Sequence, residues 1–179
     1  LQSSVSSYEE SLQYFSMASD PMYYASINNK LGNAHRKRGM LQSDPGDLSS
    51  AVVFYNESLR VFRADVYPVE YAGVQNNLGN AYLELSDIGD KRSNINKAID
   101  AYENALTSFT IDTRPVEYAT AQNNLGNAYF ELAKLENKNS NTEKAVSAYQ
   151  ESLKVFTADR FPVEHEGIMD NIVKAYKNL

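Results

Sequence analysis

The chain has 179 residues, a formal net charge of −6 and no cysteine. The acidic balance argues against a general binder of nucleic acid or anionic membrane, since both need a basic field against phosphate. Disulfides and thiolate metal sites are excluded, and no apolar run approaches the roughly 20 residues of a membrane span. The expectation is a cytoplasmic chain with no membrane partner.

In chain order, residues 4–18 carry Tyr8, Leu12 and Phe15 at helical spacing and read as one helix. Pro21 follows, and with it a period: Pro21, Pro68, Pro115 and Pro162 stand 47 residues apart. Everything around them keeps that register, including Tyr8, Tyr55, Tyr102 and Tyr149, and Phe15, Phe62, Phe109 and Phe156. Self-similarity at a period of about 20 to 50 residues marks a stacked array, in which each unit packs on its neighbours. The expected divisions are 1–20, a second helix (B) of a truncated preceding unit; 21–67, 68–114 and 115–161, three whole units; and 162–179, a final first helix (A). Starting at Leu1 in mid-pattern, the chain reads as a piece of a longer protein.

Each whole unit reads as two helices. In the second, Tyr71, Val74, Leu78, Tyr82 and Leu85 make the apolar stripe of helix A, and Ile99, Tyr102, Leu106 and Phe109 that of helix B. Each proline stands just ahead of an A helix, where its missing N–H costs nothing. Segments 43–47, 86–90 and 137–141 read as A-to-B loops. Gly32, Gly79 and Gly126 lie inside A helices at a cost of about 1 kcal/mol each relative to Ala, which predicts close helix approach. Val173 stands at that position in the last A helix, where no B helix follows.

These residues resemble the tetratricopeptide repeat family: Leu78-Gly79 with Tyr82 and Leu125-Gly126 with Tyr129 in helix A, and Ala98, Tyr102 and Ala105, then Ala145, Tyr149 and Ser152, in helix B. The resemblance implies an all-α right-handed superhelical solenoid of antiparallel helix pairs, about eight helices in all, with A helices lining the concave face. The family unit has about 34 residues; the additional 13 or so are expected in a longer A-to-B loop and a longer B helix or B-to-A link. The long unit is similar to prokaryotic arrays that precede an effector, sometimes a caspase-like CHAT protease.

With the apolar stripe of A committed to the core, the groove presents Asn29 and Asn33 in the first unit, Asn76 and Asn80 in the second, and Asn123 and Asn127 in the third. Carboxamides offer both a donor and an acceptor, so such a ladder suits the main chain of an extended peptide. The other reading is structural: asparagines that bond neighbouring helices, with Asn77 and Asn124 the expected inter-helix pair. Leu83, Phe130, Arg36 and Lys37 flank the ladder and would set sequence preference. The run His35–Arg38 reads as a solvated last turn before Gly39, or as an anchor for an acidic ligand. His35 and His165 replace pattern tyrosines 130 residues apart, and no catalytic, phosphate-loop or metal pattern appears. The expected function is therefore a non-enzymatic scaffold, without cofactor, that binds a protein or peptide. The alternatives are a spacer self-associating through its ends and a regulatory arm of a larger effector.

Overall fold

The computed structural model describes residues 2–177, with side chains from Val5 onward. It contains the helices α1 (Gln2–Ser11), α2 (Pro21–Gln42), α3 (Pro45–Leu59), α4 (Pro68–Leu85), α5 (Lys91–Leu106), α6 (Pro115–Ala133), α7 (Lys138–Leu153) and α8 (Pro162–Lys177), and no strand among the described residues. The even-numbered helices are the A helices. None of the eight is long and apolar enough to cross a membrane.

Each A helix begins on its proline, which supplies a preset φ and lacks only an N–H that the first turn leaves unbonded. Two B helices instead have aspartate caps. Asp44 accepts from the Gly46 N–H at 2.8 Å, and Asp90 from the Ser93 N–H at 3.2 Å.

Several boundaries differ from expectation. The first helix ends at Ser11, well short of residue 18, and the final A helix is described to Lys177, so residue 178 of the expected span lies outside the described residues. The run before Gly39 does not end α2. Gly39 is inside the helix, buried against Leu48, and the turn comes at Ser43, whose left-handed backbone returns an N–H toward the Gly39 carbonyl. Of the A-to-B connections, 86–90 is as expected, the first shortens to 43–44 and the third lies at 134–137, with α3 and α7 starting inside the segments read as loops. The 47-residue unit is taken up by A helices of 18 to 22 residues and by B-to-A links at 60–67, 107–114 and 154–161, not by a long A-to-B loop. Phe62, Phe109 and Phe156 sit at the start of these links, just past the B helices. They are buried all the same, because one more backbone bond to Ser58, Ala105 and Ser152 wraps each ring under the helix end.

Consecutive helices pack on one another throughout, and α2 also touches α4, α4 touches α6 and α6 touches α8. No B helix touches another B helix among the described residues. The A helices thus form a continuous layer and the B helices stand apart. Inside the pairs, Tyr55, Tyr102 and Tyr149 are fully or almost fully buried, each ring packed against a glycine of its A helix. A Cβ on Gly32, Gly79 or Gly126 would come within 2.5 to 2.6 Å of the ring. That is the close approach the mid-helix glycines predict.

Candidate functional site along the A layer

The same tyrosines organise the asparagines. Tyr55 Oη donates to Asn33 Oδ1 at 2.8 Å, Tyr102 to Asn80 at 2.7 Å and Tyr149 to Asn127 at 2.8 Å. Burial pushes the Tyr55 phenol up to about 12 and shifts Tyr102 and Tyr149 in the same direction, so all three hydroxyls are protonated donors at neutral pH. Each Asn oxygen is therefore occupied. Among the described residues its Nδ2 has no acceptor, and it stays open to solvent.

A second set of amides ties one A helix to the next. Asn77 Nδ2 donates to Asn29 Oδ1 and Asn124 Nδ2 to Asn76 Oδ1, both at 3.2 Å. Asn77 and Asn124 are thus the inter-helix residues that the structural reading expects, while Asn29 and Asn76 spend their oxygens as partners. At the third junction the pattern slips. Asn171 Nδ2 donates to Asn127 Oδ1 at 3.2 Å, and Asn123 Oδ1 is left buried without a donor.

Two adjoining clefts open where α6 meets α8. One, of about 320 Å³, brings together Leu83, Asn127 and Phe130, with Asp87, Glu131 and Lys174 supplying charge. The other, of about 550 Å³, is walled by Asn123, Val116, Phe156, Ile168, Glu164 and Asp170, and shares Asn171 and Lys174 with the first. Four of the ten residues expected at the site therefore line one continuous stretch. Asn29, Asn33, Asn76 and Asn80 occupy the corresponding positions on α2 and α4 and line neither cleft.

The basic run behaves differently from either expectation. His35 and Asp47 are buried, and a carboxylate only accepts, so His35 Nδ1 donates to Asp47 Oδ1 at 2.9 Å. Arg38 closes on the same carboxylate through Nε and Nη2. Its guanidinium first, and His35 second, hold the Asp47 carboxyl down at about 2, against a desolvation that acts the other way. Arg36 reaches across to Glu84 on α4, whose pKa burial raises although Arg36 opposes it. Lys37 is the exposed member of the four and has no partner among the described residues. The run is an internal clamp between α2, α3 and α4. A basic run in an acidic chain hints at internal pairing, but nothing in the spacing says which carboxylate each cation takes.

His165 lies half-buried in the first turn of α8 and His35 in the core of the first unit, on separate helices. Neither a family model nor a curated protein sequence matches the chain.

Proposed function

We propose that the chain is a right-handed superhelical array of the tetratricopeptide kind that holds an extended segment of a partner protein along its A layer. Contacts between successive A helices, with none between B helices among the described residues, favour a stack bent toward the A side and a groove there. The observation that carries the reading is the fixed orientation of Asn33, Asn80 and Asn127. Their oxygens are taken by buried tyrosines, so the groove offers a row of amide donors at one per unit. A row of donors at constant spacing suits the carbonyls of an extended main chain, which every sequence supplies.

Replacing these asparagines by alanine would confuse the roles, because it also orphans a buried tyrosine hydroxyl at a cost of about 1–3 kcal/mol. Aspartate keeps the acceptor for the tyrosine and removes the donor. In a selection from a random octapeptide library, Asn80→Asp with Asn127→Asp should lose bound peptide at least tenfold, while thermal unfolding shows a cooperative, folded chain. Unchanged recovery of peptides would refute the reading.

The self-associating spacer draws on one observation, the exposed Met169, Val173 and Tyr176 on α8. Growth of the scattering mass with concentration would favour it.

A further inference from the structure

We propose that the segment held along the A layer is proline-rich and in the polyproline II conformation, its carbonyls taken by the asparagine nitrogens. This rests on the peptide reading above and names the class of peptide.

The groove asparagines present donors alone. Asn29, Asn33, Asn76, Asn80 and Asn127 each have Oδ1 bonded within the chain, three of them to tyrosines and two to asparagines of the next A helix. The remaining member of the stripe, Asn123, has its Oδ1 buried. None of their Nδ2 atoms has an acceptor among the described residues. An ordinary peptide carries as many N–H groups as carbonyls, and each N–H turned toward such a row loses water and meets another donor. Proline has a carbonyl and no N–H. A proline-rich main chain is therefore an acceptor-only ligand for a donor-only row.

Spacing selects the same conformation. Asn33, Asn80 and Asn127 supply one donor per unit, and the A helices that carry them are in direct contact. Helices packed in this way lie about 8–10 Å apart. Polyproline II has about three residues per turn at about 3.1 Å each, so carbonyls on one side recur about every 9 Å. A β-strand repeats on one side at about 6.6 Å and falls out of step by the second unit. The polyproline II backbone also has no internal hydrogen bonds, so its carbonyls arrive free.

Apolar side chains stand beside two of the donors. Leu83 and Phe130 follow Asn80 and Asn127 by three residues, on the same helix face, and with Asn127 they line the cleft of about 320 Å³. Apolar, aromatic-lined recesses are where the rings of such segments dock. In the first unit the matching position is Arg36, committed to Glu84, so the ring sites belong to the second and third units.

The test titrates the isotopically labelled 179-residue chain with Nα-acetyl-nonaproline amide and with a glycine-serine nonapeptide of the same ends, read by amide NMR. Nonaproline should shift the Asn80 and Asn127 side-chain amides saturably and bind at least tenfold more tightly than the glycine-serine peptide. Asn80→Asp with Asn127→Asp should weaken nonaproline at least tenfold, and Phe130→Ala at least threefold, while the spectra keep the dispersion of a folded chain. Equal affinity for the two peptides, or no shift with nonaproline, overturns the proline inference. If the octapeptide selection then still yields peptides that depend on Asn80 and Asn127, the peptide reading stands alone. Nonaproline binding that the aspartate pair leaves unchanged also overturns the inference, and if the selected octapeptides are equally indifferent the donor row falls with it.

Discussion

Replacing Gly73 and Gly79 by alanine, one at a time, sets helix propensity against packing within a single helix. Both glycines lie in α4 with ordinary negative φ, so alanine at either should favour the helix by about 0.5–1 kcal/mol. At Gly73 an added Cβ meets nothing within 4 Å. That substitution should stabilise by about 0.5–1 kcal/mol, the propensity alone. At Gly79 the Cβ would lie 2.6 Å from Tyr102 Cε1, 2.8 Å from Cδ1 and 2.9 Å from Cζ. The ring cannot step aside cheaply, because it is fully buried and its hydroxyl is bonded to Asn80. Overpacking of this kind costs about 1–3 kcal/mol and loss of the tyrosine bond about 1 more. Propensity offsets only part of that, so Gly79→Ala should be destabilising by about 1–3 kcal/mol net. Urea unfolding of both variants measures the two signs. Tyr102→Leu should relieve the clash, so a double-mutant cycle should show Gly79→Ala costing less in that background. A stabilised Gly79→Ala, or additive effects in the cycle, would refute the claim that ring contact decides this glycine.

Two other expectations concern the ends of the array. The Asp47 carboxyl is held at about 2 from an ordinary 3.8. A depressed carboxylate contributes stability above its unfolded value and loses it as pH falls through the folded one, so about 2 kcal/mol should disappear between roughly pH 4 and pH 2. In Asp47→Asn, measured by urea unfolding across that range, the step should vanish. At the other end, α8 carries Val173 where α6 has Gly126, and Glu166 where α6 has the buried Ala119. A tyrosine-bearing helix therefore does not fit α8 as α7 fits α6. Appending a second copy of residues 134–156 should raise the melting temperature by several degrees only when Val173→Gly and Glu166→Ala accompany it. An equal rise without them would show that α8 accepts a further unit as it stands.

How much of this was legible can be followed residue by residue. Gly79 inside an apolar helical stripe foretold a close neighbour, and the shared period named Tyr102 as a core residue. That the two touch each other was not written in the spacing. The asparagines at 76, 80, 123 and 127 were visible as one stripe, yet the atoms they present were not, because the orientation of an amide follows from the donor opposite it. Asn80 has a tyrosine hydroxyl there and Asn76 another asparagine. The run His35–Arg38 was misread for the same reason: its carboxylates come from Asp47 and Glu84, nine residues from Arg38 in one case and 48 from Arg36 in the other.

By itself the sequence determined the period, the helical character of each segment, the prolines that start the A helices and the positions where small residues are required. Those are properties of a local pattern, and backbone sterics with the burial of an apolar stripe suffice to produce them. Tertiary structure decided which oxygen each tyrosine occupies, where the loops end, that α2 runs past Gly39, and that the amide rung slips at α8 to leave Asn123 undonated. Such features depend on the approach of side chains 22 to 48 residues apart. A slip of about one helical turn exchanges Asn123 for Asn127, a partner of the same chemistry, and a periodic sequence offers several.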